Sequence, residues 1–408
     1  MRTKYLFIPE NLDLKTLLPK KRLKHIDKYH YFLHKIYEER VLNKMNDSRN
    51  GYVSLSAKAM QQALNTRQYT EVKQYLLQSN IIESDDIYSN GGEYQQYERK
   101  CYWFRLGTQY RDVQARQVMI LDIEFEKKLT RIKNESISKV IEKTPHLQYM
   151  HFNLNDVRID SESAFYKIGE MLNSNADYTL EQFQFDNHTI HKILNRDFFF
   201  KRDDNVNRVH HNVSNISKRI RSFLYIETGE ALKNLDIRNS QPLLFSIVLK
   251  QYFQKELPSD VAEYISLCES GMFYEKMMQL LNIENTEANR KKFKKNFFGR
   301  IFYCEYNEHY QYKEAKLFEK HFPNCWSVIC KEKEKNYKNL STKMQQIESS
   351  IIIDGVIKHL ASLRSDLFAL SIHDSIVTTE SNTAYVKQLM LAEFAKYEVY
   401  PTVNIEDL

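Results

Sequence analysis

Apolar residues between Ile26 and Leu42 (Phe32, Leu33, Ile36, Tyr37) recur at the spacing of one helix face. Val53 to Ser56 then alternates as a short strand, and Ser56 is placed to cap a helix over Ala57 to Leu64. A polar turn at Asn65 to Arg67 leads into a second helix, Tyr69 to Ser79, with Val72, Tyr75 and Leu76 on one side. Ile81 and Ile82, a break at Asn90 to Gly92, and an aromatic-rich run from Tyr94 to Leu106 read as a β-hairpin. Two helices followed by a hairpin is the order of a winged helix, whose second helix can enter a major groove while the hairpin touches backbone. A helical unit that binds nothing fits the same order. The pattern predicts a first domain over residues 1–114.

From 115 to 200 the pattern is mixed. Phe125 to Leu129 and Ala164 to Leu172 read as helix, while Gln148 to Phe152 and Phe198 to Phe200 read as strand or buried core. This stretch is expected to connect the domains and to supply a thumb-like clamp. Residues 201–408 contain three segments where apolar periodicity meets polar residues. A short apolar strand runs from Leu232 to Asp236, and a polar turn then leads into a helix with Pro242 near its start. In a second segment, Arg290, Lys294 and Phe298 repeat every four residues and so share one helix face. In the third, alternating apolar residues from Leu367 to Thr378 predict a hairpin with His373 and Asp374 at its tip.

Composition supports an ordered chain. Hydrophobic residues make up 42% of 408, with Gly (9) and Pro (7) scarce and Tyr (27) and Phe (23) abundant, which suits a helix-rich α+β protein. The net charge of +6, from 59 basic and 53 acidic residues, is too small to prove an anionic partner; its distribution matters more. Five cysteines without paired short spacing argue against a disulfide framework or a zinc site. The scattered histidines (His151, His188, His191) read as core or surface residues. No apolar run reaches the roughly 20 residues of a membrane span, and the first residues lack the apolar length of a secretory signal. The expected location is the cytoplasm, with no membrane partner.

Each chemical segment admits an ordinary reading. Asp236 at a strand–helix junction can hold a divalent cation or cap a helix. Two cations and a ring in a row suit a nucleoside triphosphate, but they also suit a solvated helix with an apolar stripe. Asp374 is a carboxylate exposed on a rigid hairpin, or simply a turn residue. A lysine-rich stretch from Lys291 to Lys338, interleaved with Phe297, Phe298, Phe302, Tyr303, Tyr306, Tyr310 and Tyr312, reads as a surface for template and single strand.

In this order and with this content, the three segments resemble the motifs of the family A DNA polymerases, the bacterial DNA polymerase I type, and more remotely the single-subunit phage RNA polymerases. Asp236 matches the strand-end Asp of the first motif. Arg290, Lys294, Phe298 and Gly299 match the finger helix in register, and His373-Asp374 matches the last palm motif. Gln346 to Ile352 resembles the Gln-containing helix before that motif, and Arg208 with Asn215 and Ile216 resembles the template-contacting segment before the first. The resemblance covers roughly the last half of the chain.

The resemblance implies a right-hand palm and fingers acting on a DNA template-primer with deoxynucleoside triphosphates and two Mg²⁺ ions, Mn²⁺ being a possible substitute. Asp236 and Asp374 would be the shared metal ligands, with the carbonyl of Ile237 adding a third. Lys294 would bind phosphate and could protonate the leaving pyrophosphate. Arg290 would meet the γ-phosphate, and Phe298 would pack on the sugar and base. His373 would lie near the primer terminus, and Gln346 near the minor-groove side of the terminal pair.

The sequence departs from the family in places. Gln241, five residues after Asp236, stands where a Glu usually screens out ribose, and Phe302 stands where a Tyr is usual, one position before Tyr303. Ser375 replaces a carboxylate often found after the catalytic Asp. Phe302 tilts the expectation towards deoxynucleotides. A winged-helix-like unit sits where the proofreading exonuclease would lie, so a compact form without it is expected, of a kind that suits a mobile element or phage-like replicon. The alternatives are a primase or RNA polymerase on the same palm, a DNA-binding replication initiator without catalysis, and untemplated nucleotide addition.

Overall fold

The computed structural model describes residues 4–42, 50–85, 101–254, 256–305, 308 and 311–408. The expected turn at Asn90 to Gly92, Tyr94, and the aromatic residues Tyr306 and Tyr310 lie outside them. The chain has mixed α/β structure and divides into two compact units, residues 1–139 with 159–199, and residues 140–158 with 200–408. This division differs from the three-part expectation in the middle of the chain, where 115–200 is shared between the two units.

In the first unit the Ile26–Leu42 helix is buried along Tyr29, Phe32, Leu33 and Ile36. It packs against a three-stranded antiparallel sheet in which Cys101–Leu106 lies between Val53–Ser56 and Ile82–Ser84. Ser56 accepts from the Ala59 N–H and starts the Ala57–Leu64 helix. Asn65, with φ 64°, caps the Thr66–Gln78 helix by accepting from Gln68 N–H. A second, two-stranded sheet pairs Tyr5–Pro9 with Ala115–Met119. Charge is buried beneath it: Lys192 Nζ lies 2.8 Å from both Glu38 Oε1 and Asp197 Oδ2, and Lys133 also pairs with Asp197. These pairs tie the Leu180–Leu194 helix to the Ile26–Leu42 helix.

The second unit is built on a four-stranded antiparallel sheet in the order Ala369–Ile372, Ser375–Thr379, Leu232–Ile237, Val403–Asp407. Alternation puts Leu235 and Ile376 on one face and Asp236, Ser375 and Asn404 on the other. The Thr383–Ala395 helix packs against three of the strands. Beside the sheet the Ser240–Phe253 helix is buried from Pro242 to Leu249 and is apolar on all sides, as a helix wrapped by others must be. The Ser259–Glu269, Pro323–Lys333 and Asn339–Ile351 helices surround it. Edge-to-face rings of Phe245, Tyr264, Phe273, Phe297, Phe302 and Phe318 fill the space between.

Two local expectations change. Gln148 to Phe152 belongs to the Leu147–Asp156 helix: Leu147, Met150 and Leu154 are buried at helical spacing, and Phe152 is 66% exposed. The lysine-rich stretch is not one surface. Lys333 is 1% exposed, and its Nζ donates to the carbonyls of Ile301 and Cys304 at 2.7 and 2.9 Å. It thereby caps carbonyls left open where the Phe298–Phe302 π-helix ends, and burial lowers its pKa to about 8.

Candidate functional site

Antiparallel register brings the two acidic segments together. Asp236 pairs directly with Ser375, the residue after Asp374. The α-carbons of Asp236 and Asp374 therefore lie within about 9 Å of each other, one cross-strand spacing plus one chain step. Both side chains are half-buried. The turn between the strands is made by His373, whose φ of 56° lets two residues reverse the chain.

The pair is electrostatically strained. Burial and then the negative charge of Asp374 raise the Asp236 carboxyl to about 6, with Glu406 adding to the effect and Lys294 and Lys218 opposing it. Arg221 also senses Asp236, although burial pulls its own pKa down. Lys294, on the Glu287–Phe297 helix, is near enough to Asp236 to act on its charge. Lys294 itself is exposed, and among the described residues it forms no ion pair.

Arg290, one turn earlier, donates to Glu275 Oε1 at 2.8 Å and to Asn239 Oδ1 at 3.2 Å. The second bond ties the helix to the turn just after Asp236. The first was not expected: Glu275 already engages the guanidinium, and Arg238 shares the same oxygen at 3.0 Å.

The next turn of this helix is not α-helical. Tyr303 N–H bonds to Phe298 carbonyl at 3.0 Å, an i→i+5 contact, and residues Phe298–Phe302 form a π-helix. The wider turn holds one extra residue. Phe302 therefore leaves the face that Phe298 occupies and enters the core at 0% exposure, against Phe245 and Phe297. Tyr303 takes the vacated position, its ring 6.2 Å from Phe298 and its hydroxyl donating to Gln241 Oε1 at 3.1 Å. An unbroken α-helix would keep Phe302 on the face of Phe298; the π-turn sets Tyr303 beside Gln241 instead.

Gln241 continues a chain of polar contacts. Its Nε2 donates to Glu348 Oε2 at 3.3 Å, and Glu348 takes both Arg208 Nε and a terminal Arg208 nitrogen at 2.7 Å. Glu348 is 2% exposed. Its carboxyl is raised to about 7, chiefly by burial and also by the nearby Asp374 charge, against the opposing pull of Arg208. Glu348 was not singled out from the sequence. Its neighbour Gln346 was, yet Gln346 is exposed and donates to the carbonyl of Asn205 at 2.7 Å. An acidic residue inside the otherwise apolar and small-residue face of the Asn339–Ile351 helix was the available signal.

His373 packs 5.9 Å from His210 and is lowered to about 4 by burial and by Arg208. His211, fully buried, bonds Ser371 carbonyl through Nε2 at 2.9 Å and accepts Ser214 N–H at Nδ1, so Nε2 carries the proton. That bond fixes the strand leading to His373.

Among the described residues no group of three or more His, Cys, Asp or Glu side chains gathers as a metal cage. Two neighbouring carboxylates, the charge of one raising the proton affinity of the other, fit Mg²⁺ nevertheless, because this ion is held by one or two carboxylates together with substrate phosphates and water. Among the described residues no helix is long and apolar enough to cross a membrane.

No protein-family model matches the chain, and no curated protein does. Solved structures do match. One is the POL domain of Pol1 from M. smegmatis in complex with DNA primer-template and dNTP, at a TM-score of 0.47 and 11% identity, covering 69% of this chain and 73% of that one.

Proposed function

We infer that the chain is a template-directed nucleotidyltransferase, a DNA-directed DNA polymerase with palm and fingers in its second unit and a winged-helix-like DNA-binding module in its first. The observation that carries this reading is the pairing of Asp236 beside Asp374 beneath a helix whose Lys294 charge acts on Asp236.

Asp236 and Asp374, with the Ile237 carbonyl, would hold Mg²⁺, which when bound supplies charge stabilisation at the reacting phosphate. Lys294 is unpaired among the described residues and free to meet a triphosphate, neutralising charge that grows towards the transition state. Arg290 would reach the γ-phosphate by exchanging Glu275 for it. Phe298, half-buried beside Tyr274 and Tyr303, offers a ring to the incoming sugar and base. Tyr303 and Gln241, bonded to one another, form a polar wall beside the acidic pair, suited to sensing the sugar. Arg208 and His373 would contact the primer-template, with Gln346 further out.

A second reading, a primase or RNA polymerase on the same site, is favoured by one observation: the wall partner of Tyr303 is a neutral Gln rather than a carboxylate. Primer extension with Mg²⁺, offering deoxynucleotides and ribonucleotides separately, tests both. Wild type is expected to extend a recessed primer according to template sequence, preferring deoxynucleotides. Lys294→Ala should lower the incorporation rate by about 10²-fold while leaving duplex affinity intact. Absence of templated extension with either nucleotide set refutes the reading.

A further inference from the structure

The helix whose order in the sequence suggested a groove-reading role carries one cation without an ion-pair partner among the described residues, Lys73, and its Nζ lies over the rings of Tyr69 and Tyr102. Thr66, Thr70, Gln74 and Gln78 are exposed on the same helix, and Arg67 is bonded to Glu71 at 2.9 Å. Positive charge in the first unit is concentrated elsewhere. Lys20, Lys21 and Lys24 are exposed on and just after the short Lys20–Leu23 helix, and Lys28 follows in the first turn of Ile26–Leu42. None of the four forms an ion pair among the described residues.

The ridge continues onto the Ile123–Lys143 helix. Phe125 packs edge-on against Tyr31 at 5.6 Å, and Lys28 Nζ sits 6.0 Å above its ring. One turn along from Phe125 lies Lys128. The cations feel one another in sequence: Lys24 and Lys28 both act on His25, Lys128 acts on Lys28, and Arg131 acts on Lys128.

Three nearby carboxylates accept from backbone, while Glu71 pairs with Arg67 and Glu124 with Lys127. Asp27 Oδ2 accepts the N–H groups of Leu121 and Asp122 at 2.8 and 2.7 Å, Asp122 accepts that of Phe125 at 3.1 Å, and Asp13 accepts that of Lys15 at 3.0 Å. Asp122 and Glu71 still exert some pull on His25, and Asp122 on Lys28. What remains is a run of cations without an ion-pair partner among the described residues, on or just after the Lys20–Leu23 helix and on the Ile26–Leu42 and Ile123–Lys143 helices.

We propose that the ridge Lys20–Lys21–Lys24–Lys28–Lys128 is the surface by which the first unit grips the phosphate backbone of the template-primer duplex. The inference deepens the reading above and rests on it for the partner. Phosphate contact at a ridge of this kind is independent of base sequence, so it adds affinity and salt dependence without adding specificity. A bilayer is the less favoured polyanion: the apolar residues interleaved with the lysines, Leu14, Leu18, Leu23 and Ile26, pack into the core, with Leu17 alone of that segment exposed, at 44%.

The test is fluorescence anisotropy of the full chain on a labelled recessed-primer duplex across a KCl series, without nucleotide. The variants are Lys20→Ala, Lys21→Ala, Lys24→Ala and Lys28→Ala combined, and the matching set of Lys→Arg changes. The Ala set is expected to flatten the log–log salt slope by about 3 to 4, at about 0.9 per lost phosphate contact, with an unchanged far-UV circular dichroism spectrum. The Arg set should retain the wild-type slope. An unchanged slope in the folded Ala set overturns the proposal, as does a set of lysines required for flotation with phosphatidylserine vesicles but not for DNA. Because binding is read without turnover, a chain that binds DNA through this ridge yet extends no primer would sink the polymerase reading and leave the ridge standing.

Discussion

Tyr303 donates its hydroxyl to Gln241 across 3.1 Å, and it does so only because the turn before it is π-helical. The neighbouring Phe302, fully buried, has no access to the same space. The two aromatic residues therefore predict opposite mutational behaviour. Tyr303→Ala should change the ratio of deoxynucleotide to ribonucleotide kcat/KM by about 10-fold or more, since a site built to bond a sugar-facing group loses it. Phe302→Tyr should leave that ratio alone and destabilise the fold by about 1 to 3 kcal/mol through a buried, unpartnered hydroxyl. Steady-state kinetics with each nucleotide set and urea denaturation measure the two effects.

Glu348 joins Arg208 to Gln241 from inside the protein. Glu348→Ala leaves the part-buried Arg208 without its bidentate partner and should cost about 3 kcal/mol of stability. Glu348→Gln keeps an acceptor for Arg208 and should cost less. If Glu348 also holds Gln241 in place for Tyr303, both variants shift sugar discrimination in the same direction as Tyr303→Ala. A stability loss with unaltered discrimination would limit Glu348 to a structural part.

The raised carboxyl of Asp236 has a consequence for stability with a definite sign. Its pKa in the fold is about 6, above the ordinary carboxyl value of 3.8. Between those values the folded state holds more protons than the unfolded one, so stability falls as pH rises through that window and stays lower above it. Asp236→Asn removes the liability. Its melting temperature should exceed that of wild type at pH 7.5 and match it near pH 4. Added Mg²⁺ should raise the melting temperature of wild type at pH 7.5 and leave that of the variant nearly unchanged.

Much of the second unit was legible because its segments obey short-range rules. The strand to Asp236, the hairpin tip at His373-Asp374 and the helix through Arg290 and Lys294 occur at the expected places, the first strand running one residue further, to Ile237. The meeting of Asp236 with Asp374 is a matter of strand register, which no local pattern encodes. The π-turn escaped for a related reason: Phe298 to Phe302 is compatible with an α-helix, and the extra residue is accommodated by aromatic packing around Phe297 and Phe302 and by Lys333 capping from a distant helix. Glu348 was hidden because a buried carboxylate is recognisable only by its partners, and Arg208 lies 140 residues away. Gln148 to Phe152 misled because a short apolar run does not distinguish strand from helix.

The central claim is that Asp236 and Asp374 act as one unit on the reacting phosphate. Single-turnover incorporation of one nucleotide by Asp236→Asn, Asp374→Asn and the double variant, at saturating DNA and Mg²⁺, tests it most directly. Each single change is expected to slow incorporation by about 10³-fold or more, and the double variant to be scarcely slower than either, as for groups that work only together. Independent, multiplying losses, or a single variant that incorporates at the wild-type rate, would contradict the account.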